Sequence, residues 1–590
     1  MAGDPRPATR RVAALARNVG MLAATAGARL EDDPVRLAVL AVRRLPLRAR
    51  RPVAAALVRG GRRSGRPVLH GLGLVLADRP DEARSLLGSR VPPGRLAGEI
   101  AVELGLTLPT DASAAVRARR TWQRGDLAGA VEVLRSSDAR GARRQAARLE
   151  SERRTYLPGQ RLAGPPPGRH RRPAASGRTG GVSVLHLLTN SLPWTQSGYA
   201  LRSHGILRAQ RAAGARAEAV TRVGYPVVVG LPWAAETDVV DGVPYHRLIP
   251  RRLGATPEAR LEQAATLLAG HVDRAGADVL HTTTHYVNGL VAEAVARSRG
   301  VPWVYEMRGQ LEKTWLATFP AGERETVRAS ERYRLWRAKE VETARAADHV
   351  VALSQVLRRE LCAAGVDPAR VSVVPNAVDA ALVEAGRTSP APPDARRSVG
   401  LPEEGMWVGT VSSLVTYEGL DILLHAVARL RREGLDVRCA IVGDGSARAG
   451  LVRLAGTLGL DGAAVLPGRV DRSAATAWVW ALDLVATPRR DTEVTRSVTP
   501  LKPVEAMALG RPVVVSDLPA LAEVVGDEGA GLLVTPEDPD ALADTIRELY
   551  ADPLRRSEIA GRGREVAATR TWQEMARRYL SVYQTLGSAR

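Results

Sequence analysis

The first 155 residues lack the two-residue alternation of apolar and polar positions that marks a half-buried strand. Their apolar residues recur at three and four, the spacing of one helix face, most clearly in ASAAVRARRTWQRGDLAGAVEVLRSS (112–137). There the turn QRGD separates two helical runs and predicts a helical hairpin, with no second copy at a fixed period to suggest a repeat array. The stretch VRLAVLAVRRLPLRARRPVAAALVRG (35–60) predicts basic amphipathic helices. These either lie on an anionic membrane surface or pack on one another with Arg outward. Residues 156–181 hold PGQRLAGPPPGRHRRPAASGRTGG, with almost nothing to bury, and read as a linker.

The pattern changes at residue 182. VSVLHLL (182–188) is a short buried-strand run followed by a Gly-containing turn and a helical stretch over 199–213. Further strands are predicted around 217–223, 279–282, 301–306, 349–353 and 371–374, each followed by a helical run. A second loose segment, AGRTSPAPPDARRSVG (385–400), interrupts the alternation. It resumes with strands at 406–412, 439–443, 463–468, 483–487, 512–516 and 531–535. Strands alternating with helices imply parallel sheets and right-handed crossovers. The fold class is therefore α/β: two Rossmann-like doubly wound domains, 182–384 and 401–590, joined by a linker at 385–400 and preceded by the mostly helical, basic region 1–155. Such a pair opens a cleft at the carboxyl ends of its strands. A last helical region, 553–586, is placed to cross back and brace the two units.

Charge sharpens this division. Residues 1–180 carry 35 Arg against 15 Asp and Glu, a net +20 of the chain's +21. Such an excess suits an anionic membrane surface, an acidic partner or a solvated face. Nucleic acid is the weaker reading, because few aromatics are interleaved for base stacking. Cys362 and Cys439 match neither a disulfide framework nor a metal-ligand spacing. No run of 18 apolar residues marks a membrane span, and the N-terminus lacks a continuous apolar core and cleavage site. The expectation is a cytoplasmic protein, or one peripheral at the inner face of the plasma membrane.

Four stretches carry candidate chemistry. In TNSLPWTQSGYALRSHG (189–205), Gly198 between strand and helix lets backbone N–H groups approach a phosphate. In IVGDGS (441–446), Gly443 opens a similar turn. In PRRDTEVTRSVTPLKPVEAMALGRPVVVSD (488–517), Glu505 near a helix start can accept both hydroxyls of a ribose. Lys502 beside it offers a compact positive charge to a diphosphate. In DVLHTTTHYVNGL (278–290), His281 or His285 is a candidate for the mouth of the cleft.

Together with VSVVPNAVD (371–379), YEGLDILLHAV (417–427) and VLPGRV (465–470), these stretches resemble, in order over about 182–585, retaining glycosyltransferases of the family-4 type, which have the fold called GT-B. The similarity is to a bacterial branch with SLPxxSGY, YEGLD and VTPLKPxEAMA, associated with polysaccharide and surface-glycan assembly. The resemblance implies a nucleotide-diphospho-sugar donor and a glycan or lipid-linked acceptor, with no cofactor and no bound metal. It implies that Glu505 holds the ribose and that backbone around Val504 and Ala506, with Gly198 opposite, holds the diphosphate. Arg469 and Val470 fall where the family contacts the base, and His281 where it has a His near the sugar. Catalytic roles thus fall to His281, Lys502 and Glu505. The sequence also departs from the common pattern: Ser413 and Glu418 stand where an Arg and a Lys are usual at the diphosphate, and Ser497 where a first carboxylate precedes Glu505. A non-catalytic scaffold is the competing expectation from those departures. A GT-B-fold epimerase or phosphorylase is weaker, since no lysine-bound pyridoxal site is recognisable.

Overall fold

The structure, a computed structural model, describes residues 6–44, 47–88, 91–168, 181–526 and 529–588. The first sheet contains β1 (Ser183–Leu188), β2 (Arg216–Thr221), β3 (Thr237–Val240), β4 (Val243–Arg247), β5 (Val279–Thr283), β6 (Trp303–Met307), β7 (His349–Ala352) and β8 (Val371–Val373). Their spatial order is β3-β4-β2-β1-β5-β6-β7-β8, parallel except for β3 against β4. The second contains β9 (Met406–Val411), β10 (Val437–Val442), β11 (Ala464–Gly468), β12 (Leu484–Thr487), β13 (Val513–Ser516) and β14 (Leu532–Val534), ordered β11-β10-β9-β12-β13-β14. Every residue of β1, β5, β6, β12 and β13 is buried. Helices cover both faces, which explains why these strands read as apolar runs rather than alternations. In both sheets the strand order reverses beside the first strand, between β1 and β5 and between β9 and β12. The crevice at such a reversal is where open α/β sheets hold ligands.

Two expectations are corrected. Residues 385–400 are not a loose linker: helix Ala380–Arg387 and helix Pro392–Val399 pack on the second unit. Ala395 joins its core, and the buried Arg396 pairs with Asp483 and donates to the Ala481 carbonyl at 3.1 Å. Likewise, residues 156–168 are docked on the first unit. Tyr156 is buried edge-on against Tyr286 and Trp336, and Arg299 donates to the Pro166 carbonyl at 2.9 Å. The rest of that expected linker, 169–180, lies outside the described residues. The hairpin β3–β4, absent from the expected strands, turns at Asp241 and Gly242, both with φ in the left-handed region, as a two-residue hairpin turn requires.

The last helix, Trp572–Ser588, returns to the first unit. Met575, Tyr579 and Tyr583 enter the layer under β1, β5 and β6 with Val184, Val279 and Val304. Ahead of them the backbones of Val378 and Trp572 bond across the crossover between the units.

The described elements of the N-terminal region are all helices, and the region is fastened to the first unit. Its hairpin, Ala114–Gln123 and Leu127–Arg135, turns at Gly125, whose φ is +94°. A Cβ there would lie 2.5 Å from the Ser330 hydroxyl, so only glycine fits. Glu331 accepts from the Leu127 and Ala128 amides at 2.9 and 2.8 Å, capping the second helix from another domain. An ion pair between Asp81 and Arg453, at 3.0 Å, reaches the second unit as well. The apolar faces within 35–60 are used inside this region: Val35, Val39 and Ala54 are buried with Leu74, Ile100 and Leu104. That is the packing alternative for this stretch, with these apolar residues turned inward. No helix among the described residues is long and apolar enough to cross a membrane.

Candidate active site

The cleft is built at the carboxyl ends of both sheets. On the first unit, the turns after β1, β5 and β6 enclose a cavity of about 260 Å³ lined by Thr189, Asn190, Tyr199, His285, Arg308 and Gln310 among others. No Asp or Glu lines it. Helix Gly198–Ala212 starts at its edge, with Ser197 as N-cap accepting from the Ala200 amide. A Cβ on Gly198 would face only Leu501 of the second unit, at 3.8 Å, so the two chains approach each other there. Leu501 precedes helix Lys502–Ala508. Gly198 thus stands opposite the segment holding Lys502 and Glu505.

Lys502 and Glu505 pair with each other at 2.9 Å, both partly exposed. Val504 and Ala506 are buried. Ala506 lies one turn into the helix, where its N–H is committed to the Lys502 carbonyl; the amides not so committed are those of the first turn. That corrects the expected use of the Ala506 amide. Arg469 is exposed and Val470 half-buried just beyond β11, at the far edge of the second sheet.

His281 is not at the mouth of the cleft. It has no exposed side-chain surface, contacts Glu306 through Nε2 at 3.0 Å and Tyr583 through Nδ1 at 2.7 Å, and stacks on His186. The expectation that set it beside the sugar is corrected for a simple reason: β5 alternates its faces, and His281 points under the sheet toward the last helix. The imidazole in the cavity is His285, just past the strand end. Its Nδ1 is buried without a hydrogen-bond partner among the described residues. Burial, then Arg222, pulls its pKa down to about 4, so the ring is neutral at pH 7.

Gly443 has φ +143°, and a Cβ there would lie 1.8 Å from the Ser412 carbonyl oxygen. Its glycine is required by the packing of two backbone turns. Glu418, the acidic departure, accepts from Arg489 at 2.6 and 3.2 Å, and Arg489 also donates to the Val498 carbonyl. The extra negative charge is therefore neutralised within the site. Ser497 donates to Gln310 at 2.8 Å and receives Lys313 at 3.3 Å, so this position joins the two units. Arg308 and Tyr199 carried no sequence signal that singled them out. Arg308 donates to Ser203 and to the Tyr199 carbonyl, and is held by Glu306. The Tyr199 phenol lies within electrostatic reach of Tyr417 and Arg489 across the cleft.

The neutral His285 has a stability consequence with a definite sign. The unfolded chain binds a proton near pH 6.5 that the folded chain refuses until about pH 4. Stability from this residue is full above pH 6.5 and is lost as pH falls toward 4. Relative to His285→Asn, the wild type should lose roughly 1–2 kcal/mol between pH 7 and 5. Thermal melts of both proteins across that range check it; parallel curves would contradict a buried neutral imidazole.

Two doubly wound units whose strand ends face one cleft, with the last helix returning to the first, define a protein of the GT-B fold. Residues 197–377 match the family described as glycosyl transferase 4-like domain, and residues 405–552 that described as glycosyl transferases group 1. D-inositol 3-phosphate glycosyltransferase 1 of Catenulispora acidiphila is 30% identical over 430 residues, covering 68% of this chain and 95% of that protein. The D-inositol 3-phosphate glycosyltransferase of Salinispora arenicola is 30% identical over 376 residues, 61% of this chain and 79% of its own. Among solved structures, sucrose-phosphate synthase of Thermosynechococcus elongatus has the same fold, with a TM-score of 0.56 and 20% identity over 69% of this chain and 100% of that one. HepE of Anabaena, solved with UDP-glucose, has a TM-score of 0.51 and 19% identity over 69% of this chain and 99% of that one. The chain belongs to the group 1 glycosyltransferases, and these relatives favour a transferase over an inactive scaffold.

Proposed function

We propose that this cleft moves a sugar from a nucleotide-diphospho-sugar onto a hydroxyl of a glycan or lipid-linked acceptor, with retention of configuration, in polysaccharide or cell-surface glycan synthesis. The observation that carries the reading is the facing of Gly198 and the Lys502–Glu505 segment across a cleft whose acceptor side holds His285. A partly exposed ion pair is cheap to open. Glu505 is thus free to accept the ribose hydroxyls while Lys502 turns to the diphosphate. The leaving charge is stabilised by Lys502 and by first-turn amides such as that of Val504. Arg469 and Val470 suit the base at the sheet edge.

Retention is what the resemblance to the family-4 type implies, and the lining of the cavity bears only on its route. With no Asp or Glu beside the sugar, no side-chain carboxylate is placed to form a glycosyl-enzyme. Attack by the acceptor hydroxyl from the face of the departing diphosphate then accounts for transfer. The neutral His285, with its open Nδ1, suits a hydrogen bond to the sugar. Metal independence is part of the same reading. Among the described residues no group of three or more His, Cys, Asp and Glu is arranged to hold an ion, and the reading gives the diphosphate charge to Lys502.

A thermal-shift screen with UDP-, GDP-, ADP- and dTDP-sugars, followed by transfer assays with the stabilising donor, tests the proposal. One nucleotide should raise the melting temperature saturably, with or without EDTA, and His285→Ala should keep that shift while losing transfer. A folded protein that responds to no donor would sink the reading. HepE was solved with UDP-glucose, and the curated relatives are named for a phosphorylated inositol, so UDP-glucose and a polyol phosphate head the donor and acceptor sets.

A further inference from the structure

A second cavity, of about 1110 Å³, lies between the N-terminal helices and the segment that follows β6. It is far larger than the sugar cavity and sits at the upper end of sizes for small-molecule sites. Trp122 lines it from the helical hairpin, while Trp315, Phe319 and Arg332 line it from the first unit. The two cavities share a wall. Helix Leu311–Leu316 presents Leu311 and Thr314 to the sugar cavity, whereas Trp315 and the following Thr318 and Phe319 face the second. One helix diameter, about 10 Å, therefore separates them.

The second cavity has unmet donors. Arg332 is only 8% exposed, and its Nε and Nη2 make no hydrogen bond among the described residues; Glu152 of the same lining acts on its charge but is hydrogen-bonded to Tyr156. It lies 5.1–5.3 Å from the rings of Trp122, Trp315 and Trp336. Indole faces attract the cation but accept none of its in-plane N–H donors, so Nε and Nη2 remain unbonded. Most other cations in the lining already have carboxylates: Arg119 pairs with Asp33 and Glu99, Arg124 with Glu323, and Arg36 with Glu103. Arg120 donates to the carbonyls of Ala101 and Leu106. Aromatic side chains in the lining and a buried guanidinium with two unbonded N–H donors together describe a site for an acidic saccharide.

We propose that this cavity is a distal acceptor subsite, binding an anionic sugar of a growing glycan while the chain's end reaches over helix Leu311–Leu316 to the sugar cavity. The proposal rests on the glycosyltransferase reading above and adds the substrate class: an acidic oligosaccharide, its charge a carboxylate or a phosphate held by Arg332. It gives the N-terminal helices a function, since they supply one wall.

Calorimetric titration of the full chain tests it, using a hexamer of glucuronate, a neutral glucose hexamer and glucose 1-phosphate. The acidic hexamer should bind about ten-fold more tightly than the neutral one, and Arg332→Gln should erase that difference. Gln123→Trp, which places a bulky ring in the lining, should weaken both and keeps the test available if Arg332→Gln fails to fold. In both variants the donor-induced thermal shift should match the wild type. Competition by glucose 1-phosphate at similar affinity identifies a phosphate as the anion; its failure to compete identifies the carboxylate. Equal binding of acidic and neutral hexamers, or a preference unchanged in a folded Arg332→Gln, would overturn the proposal. If no nucleotide sugar binds while the acidic hexamer still does, the transferase reading fails, and the cavity is an acidic-saccharide site but not an acceptor subsite.

Discussion

Replacing Glu306 by Ala is expected to cost about 3–5 kcal/mol of stability, the loss typical of breaking a buried ion pair from one side. Glu306, at the end of β6, has no exposed surface. It accepts from Arg202 at 2.8 Å, from Arg308 at 3.0 Å and from His281 at 3.0 Å. Burial alone would raise its pKa, but Arg308 and Arg202 outweigh burial and hold it well below the usual carboxylate range. Removing the carboxylate strands two buried guanidiniums together. In a unit of roughly 200 residues this corresponds to a fall in melting temperature of about 10 °C, readable by calorimetry. A change under 2 °C would mean that the guanidiniums find other partners. The loss should also reach the cleft. Arg202 donates to the Val374 and Pro375 carbonyls and to Asn376, and Asn376 donates to the Thr499 carbonyl of the second unit. Thr499 is three residues before Lys502, so nucleotide binding should weaken in any Glu306 variant that stays folded.

Glu505→Ala should have the opposite profile. Its carboxylate is about a third exposed and paired only with Lys502, so the unliganded melting temperature should change little. Nucleotide affinity should fall about 10–100-fold, the worth of a charged hydrogen-bonding partner to the ribose. Titration of the donor found in the screen measures this. An affinity within two-fold of the wild type would remove Glu505 from the nucleotide site while leaving the fold and family intact.

The apolar strand runs are visible in the sequence because doubly wound strands are buried on both faces. VSVLHLL, CAIVG and PVVVS coincide with β1, the end of β10 and β13. The hairpin β3–β4 is not among the expected strands, although Asp241-Gly242 is a hairpin signal, because its edge strand β3 is only four residues long and half-exposed. The segment 385–400 misled through its prolines. Pro392 in fact occupies the first turn of a helix, where a missing N–H costs nothing. Gly198 lies at a strand-to-helix turn, and such turns come to one edge of a parallel sheet by topology alone, whereas Lys502 and Glu505 follow their strand only after the short helix Glu493–Ser497.

The choice between His281 and His285 was not legible. His281 lies within β5 and His285 two residues past its end, and which imidazole faces the cavity depends on where the pleat ends and what the last helix, some 300 residues later, brings beneath it. Nor does local sequence reveal that Arg489 answers Glu418 from 71 positions away, or that Glu331 caps a helix of the N-terminal region. The sequence by itself determined the α/β class, the order of the elements and the family, because periodicity, turn residues and motif order are local properties of the chain. Only the tertiary structure decided which side chains share the cleft, how its charges balance and that the basic helices form part of the catalytic body. Burial and ion pairing act between residues that are near in space, whatever their separation along the chain.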